Sequence, residues 1–177
     1  MSKVKVIVIN GVSRSGKDTF IDFLRTKVYV LVKHSTIDVV LGALTNSIMM
    51  DHKKKGREER EFLATVKQAW IMYNDGPFKQ VVDIADDIER TFKFQNNVDR
   101  VLLVVQVREP DEIQKLSSYF GVDFHSVLVR RKDTNPQHPT DVTVEEWDYD
   151  YIVFNDGTLE QLEVNAQKFI AYMRKEK

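Results

Sequence analysis

A strand-like apolar run, Val4-Lys5-Val6-Ile7-Val8-Ile9, leads directly into Gly11-Val12-Ser13-Arg14-Ser15-Gly16-Lys17-Asp18-Thr19. No other stretch of the chain restricts its fold as strongly. The run predicts a buried β-strand, and Phe20-Ile21-Asp22-Phe23-Leu24 beyond the loop predicts an amphipathic helix. Gly11 and Gly16 permit the backbone angles that turn successive N–H groups inward around an anion. Lys17 adds a positive charge that reaches outer phosphates, and the following helix aims its N-terminal dipole at the same point. Strand, loop and helix in this order predict a phosphate cradle whose contacts are Gly11, Ser13, Arg14, Ser15, Gly16, Lys17, Asp18 and Thr19. Asp18 stands where a serine or threonine that touches magnesium usually follows the lysine. It reads as a metal contact and equally as a favourable acid in a first helical turn.

The bulk numbers narrow the class. A chain of 177 residues suits one domain with a full core. A net charge of −1 argues against a general nucleic-acid coat protein. The absence of cysteine excludes disulfides, thiolate metal sites and cysteine nucleophiles. The longest apolar runs, such as 101–105, are strand-sized and too short to span a bilayer. Met1-Ser2-Lys3-Val4 lacks a signal-peptide pattern, so a cytoplasmic soluble protein is the expectation. The oligomeric state is left open, a homodimer included.

Strand and helix patterns alternate along the chain. Strands are expected at 28–32, 101–107, 126–130 and 151–154 in addition to the first. Ser35-Thr36-Ile37-Asp38 reads as a turn and cap before a helix over 39–49. A helix over 58–73 places Phe62, Leu63, Val66, Ala69, Trp70 and Tyr73 on one face, where Trp70 and Tyr73 read as core residues or as rings that stack on a base at an acceptor pocket. Asn74-Asp75-Gly76-Pro77 breaks the chain before a helix reaching about 94, and helices follow at 111–120 and from Thr158 to about 173. Residues 131–147 read as a lid-like loop, and 36–94 as helices of an acceptor site. Such alternation implies a parallel sheet covered on both faces, with ligands at the carboxyl ends of its strands.

Transfer of a phosphoryl group needs positive charge and a dry enclosure more than covalent chemistry. Basic residues at strand ends are therefore candidates beside Lys17: Arg108 after the third strand, Arg130 and Arg131 after the fourth. Arg57 and Arg60 are possible clamps for an acceptor phosphate, within a basic cluster that also reads as a solvated face. Asp38 has three readings: a base for an acceptor hydroxyl, a group that orients the acceptor, or a helix cap. His34, His52, His125 and His138 show no metal-ligand spacing.

With those residues in view, the chain resembles the nucleoside monophosphate kinase superfamily of phosphate-loop proteins. The likeness is nearest to the deoxynucleoside monophosphate kinase-like proteins of bacteriophages and to adenylate kinase-like proteins. It is carried by Ser15-Gly16-Lys17-Asp18-Thr19, Ser35-Thr36-Ile37-Asp38, Asn74-Asp75-Gly76-Pro77-Phe78, Arg108-Glu109-Pro110, Tyr149-Asp150-Tyr151-Ile152 and Asn155-Asp156-Gly157-Thr158. The resemblance implies a three-layer α/β/α fold with a five-stranded parallel sheet. It also implies ATP as donor and magnesium-dependent transfer to a small acceptor, most simply a (deoxy)nucleoside monophosphate. It places Arg108 against the phosphates as a catalytic residue with Lys17 and Asp38, and Arg130 at the donor. Many members hold magnesium through an aspartate two residues before the strand-end arginine. Gln106 fills that slot here, leaving Asp18, Thr19 and Glu109 as metal candidates. Two other readings share the loop: a kinase for a non-nucleotide metabolite, such as phosphomevalonate or dephospho-coenzyme A kinases, and a nucleotide-binding regulator with little transfer activity.

Overall fold

The computed structural model describes residues 3–27, 30–48, 56–95, 100–132, 134 and 142–175. Five parallel strands form one sheet: β1 Val4–Asn10, β2 Val30–Ser35, β3 Val101–Gln106, β4 Phe124–Arg130 and β5 Tyr151–Phe154. Their spatial order is β2-β3-β1-β4-β5, so the strand that feeds the glycine-rich loop is central. β1 lies in register with β3 (Val8 opposite Val105) and with β4 (Val8 opposite Ser126).

Helices cover both faces: α1 Lys17–Lys27, α2 Thr36–Ile48, α3 Arg57–Asn74, α4 Gly76–Phe92, α5 Pro110–Phe120 and α6 Leu159–Lys175. Side chains alternate across a strand, so β1 contributes to a core on each side of the sheet. Val4, Val6 and Val8 pack with Val81, Ala85 and Ile88 of α4 and with Ile113 and Leu116 of α5. Ile7 and Ile9 face the other way, against Phe20, Ile21 and Leu24 of α1 and Leu162, Ala166 and Phe169 of α6. Burial on both faces explains why β1 and β3 read as nearly continuous apolar runs. A third, smaller cluster of Val40, Leu41 and Leu63 joins α2 to α3. Among the described residues no helix is long and apolar enough to cross a membrane.

Several local expectations are corrected. β2 runs on to Ser35, and Val28 and Tyr29 lie outside the described residues. Ser35, rather than Asp38, caps α2: its Oγ accepts from the Asp38 amide at 3.4 Å, and Asp38 lies in the first turn. β4 begins earlier than expected, at Phe124. On α3 the inward stripe is Leu63, Val66, Lys67 and Trp70, whereas Tyr73 is 85% exposed and Phe62 also faces solvent. The stripe turns because Lys67 goes inward to meet two carboxylates. The expected lid is also not wholly a loop. Thr143–Glu145 forms a 3₁₀ turn, and Val144 is fully buried in the core. The Tyr149 hydroxyl donates to the Val144 carbonyl at 2.8 Å, and the Trp147 indole donates to Ser126 Oγ at 3.2 Å. Residues 135–141 of that stretch lie outside the described residues, as do Lys53, Lys54 and Lys55.

Candidate active site

The carboxyl ends of β1, β2 and β3 open into a cavity of about 1080 Å³, walled on its far side by α3. Its floor is the glycine-rich loop. Gly16 has φ +94°, and a Cβ there would strike Asn155 Nδ2, so only glycine fits without strain. Gly11 is equally confined, between Ser15 Oγ and the Val129 carbonyl. Arg14 adopts φ +67°, an uncommon angle for a residue with a side chain, and it is exposed at the tip of the loop.

Long-range hydrogen bonds hold the loop from both sides. Asn10 Oδ1 accepts from the Gly11 amide at 2.8 Å, while its Nδ2 donates to Tyr149 Oη at 2.7 Å and to the Arg108 carbonyl at 3.4 Å. Burial pushes the Tyr149 hydroxyl up to about 12, although the Asn10 bond works against it. Asn155, just past β5, donates to the Ser15 carbonyl at 2.8 Å. The stretch after it starts α6 with a reciprocal cap: the Thr158 amide donates to Gln161 Oε1 at 3.2 Å, and the Gln161 amide to Thr158 Oγ1 at 3.4 Å.

The cavity brings together Ser13, Lys17, Asp18, Asp38, Arg60 and Arg108, which come from four separate segments of the sequence. Other expected residues fall elsewhere. Arg130 pairs with Glu145, donating from Nε at 3.0 Å and from Nη2 at 2.9 Å, and lies 6.0 Å from the centre of the Phe154 ring. Arg131 is exposed, and neither arginine lines the cavity. Trp70 and Tyr73 do not line it either. Thr19 is half-buried in the first turn of α1.

Two lysines that sequence reasoning missed organise the carboxylates. Lys33, on β2, donates to Asp18 Oδ1 at 2.8 Å, and Gln106 Nε2 donates to the same oxygen at 3.1 Å. Partial burial pushes Asp18 up, but the Lys33 and Gln106 hydrogen bonds and the charges of Lys33 and Lys17 outweigh it and hold the carboxyl below 3.8. Lys67, on α3, is buried and donates to Glu109 Oε2 and Glu112 Oε2, both at 2.8 Å. Burial would favour the neutral amine, yet the two carboxylates hold Lys67 above its ordinary value. Glu109 is half-buried, which pushes its carboxyl up, but the same lysine outweighs that and holds it low. Burial pushes Glu112 up to about 7.

The two carboxylates expected as metal ligands are already engaged by the protein. Glu109, expected as a metal ligand, turns its carboxylate to Lys67, and Asp18 is engaged by Lys33 and Gln106. Among the described residues, no group of three or more His, Asp or Glu side chains converges. His34, buried beside Asp38, stays neutral more readily than usual, because burial outweighs the Asp38 charge.

No protein-family model and no curated protein sequence matches the chain. Solved structures do. A thymidylate kinase from Candida albicans superposes with a TM-score of 0.55 at 12% identity, over 100% of this chain and 95% of that one. An APS kinase from Mycobacterium tuberculosis gives 0.53 at 13% identity, over 98% and 99%. A shikimate kinase from Aquifex aeolicus gives 0.51 at 12% identity, over 94% and 96%. Sheet order, central glycine-rich loop and these likenesses together give the chain the three-layer α/β/α fold of the phosphate-loop kinases.

Proposed function

We propose that the chain transfers a phosphoryl group from ATP to a small acceptor, a (deoxy)nucleoside monophosphate in the first instance. One observation carries the reading: the loop with Lys17 shares a cavity with Asp38, Arg108 and, on the α3 wall, Arg60. The inward amides of residues 11–19, the N-terminus of α1 and Lys17 grip the donor phosphates. ATP when bound supplies the phosphoryl group, and magnesium comes with it on the phosphates. Lys17 and Arg108 stabilise negative charge that develops during transfer, which is the main catalytic demand of this chemistry. Arg60 offers a clamp for an anionic acceptor, and Asp38 orients it.

A second reading has its own support. α3 lines the cavity with Leu63, Ala64, Ile71 and Met72 beside the polar Arg60, Thr65, Lys67 and Gln68, and no aromatic ring is among the described residues that line it. A base-stacking surface is therefore not supplied by α3, which favours a non-nucleotide acceptor held by polar and aliphatic contacts.

The test is a coupled assay of ADP release with ATP, magnesium and a panel of nucleoside monophosphates and phosphorylated metabolites. Turnover with at least one monophosphate, lost by a hundredfold or more in Lys17→Ala, is the expected result. ADP release only with a metabolite would select the second reading. Nucleotide binding without release across the panel would make the chain a regulator instead.

A further inference from the structure

Phosphate-loop enzymes commonly hold a divalent ion through the hydroxyl that follows the loop lysine and through an acidic residue near the end of a neighbouring strand. In this chain both places are changed, to Asp18 and Gln106, and the two side chains are bonded to each other at 3.1 Å. A third group completes the set. Lys33 Nζ sits 2.8 Å from the same Asp18 oxygen. Lys33 is two residues before the end of β2, directly opposite Val104 of β3, and its neighbour His34 is buried on the other face of the sheet. The alternation therefore sends Lys33 toward α1, and it lines the same cavity as Lys17 and Arg108.

We propose that Lys33 is a polyphosphate-binding residue, a cation built into the place where a divalent ion would be held, so that nucleotide affinity depends little on divalent metal. The proposal rests on the nucleotide-kinase reading of the cavity. An ammonium group has three N–H donors. Among the described residues Lys33 directs one to Asp18, which leaves donors to turn toward phosphate oxygens beside Lys17. Asp18 then serves as the tether that keeps a long, flexible side chain over the loop, and Gln106 fixes Asp18 in turn. The pair is open to the cavity, with side-chain exposures of 34% for Lys33 and 67% for Asp18. Such an exposed pair contributes little to folding, so its arrangement is free to serve ligand binding. The alternative, an ordinary surface ion pair at the first turn of α1, would leave ADP affinity untouched when Lys33 is replaced.

The experiment is calorimetric titration of ADP onto wild type, Lys33→Met, Lys33→Arg and Lys17→Ala, each in EDTA and in excess magnesium. Wild type is expected to bind with dissociation constants within about threefold in the two conditions. Lys33→Met is expected to bind at least tenfold more weakly in EDTA, about 1.4 kcal/mol, with a smaller deficit in magnesium. Lys33→Arg keeps the charge and is expected to keep metal-independent binding; Lys33→Gln replaces the methionine variant if that one fails to fold. Wild-type affinity that collapses tenfold or more in EDTA overturns the proposal, as does a Lys33→Met variant that matches wild type there. If either occurs while Lys17→Ala abolishes binding, only the role of Lys33 falls. If Lys17→Ala binds ADP as well as wild type, or if wild type binds none, the kinase reading falls with it.

Discussion

The side-chain amide of Asn155 donates to the backbone carbonyl of Ser15 at 2.8 Å, although 140 positions separate them in the chain. That bond ties the end of the edge strand to the floor of the cavity. Replacing Asn155 with alanine leaves the Ser15 carbonyl to find another partner and loosens the loop. The expected cost is about 1 kcal/mol in stability and a severalfold loss of ADP affinity. Urea denaturation and ADP titration measure the two effects, and unchanged affinity would show that the loop is held without Asn155.

Gly16→Ala is a harsher change at the same contact. Its φ of +94° disfavours any side chain, and the new methyl meets the Asn155 amide. The expected penalty is about 1–3 kcal/mol, together with loss of nucleotide-induced stabilisation in a thermal-shift assay. Combining it with Asn155→Ala removes the collision but not the backbone strain, so recovery is partial. Complete recovery in the double variant would mean that the collision was the whole effect.

Glu112 gives stability a pH dependence with a definite sign. The folded chain keeps its proton up to about 7, against an ordinary 4.5. Between those values the folded state binds more protons than the unfolded one, so stability falls as pH rises through that window. Glu109 contributes in the opposite sense, stability that is lost only below 4.5, and the stability from Lys67 is lost only above 10.5, so neither changes within this window. Denaturation at pH 5 and pH 8 should show a decline in wild type, on the order of 2 kcal/mol, that Glu112→Gln lacks. Parallel behaviour of the two proteins would remove Glu112 from the account.

Asp38→Asn separates the two acceptor readings. With a monophosphate acceptor the phosphate oxygen is already anionic, so acceptor KM rises while kcat stays within about tenfold. With a hydroxyl acceptor that needs a base, kcat falls by about a hundredfold or more, and ATP affinity is kept. Steady-state kinetics with both substrates varied makes the distinction.

Much of this architecture was legible in the sequence because it is local. A run such as Val101-Leu102-Leu103-Val104-Val105 declares a strand buried on both faces, and Gly11 and Gly16 declare the loop between strand and helix. The misplaced features depend on partners far away in sequence. Lys33 and Lys67 look like ordinary surface lysines until Asp18, Glu109 and Glu112 are seen beside them. Helical spacing gave α3 an apolar face, but it could not foresee that a lysine would turn inward and send Tyr73 to solvent. Gln106 was visible as a departure; its bond to Asp18 was not. Trp147 and Tyr149 stood next to a polar, proline-containing stretch that concealed the buried Val144.

The central position of β1 has a last consequence. The glycine-rich loop hangs from β1 and is braced by residues 149–155, whereas the opposite wall is carried on α3 and steadied by its own link through Lys67 to α5. The two halves are thus borne on separate stretches of polypeptide. On the kinase reading proposed above, grafting a different helix in place of α3 would re-tailor acceptor choice while sparing the glycine-rich loop.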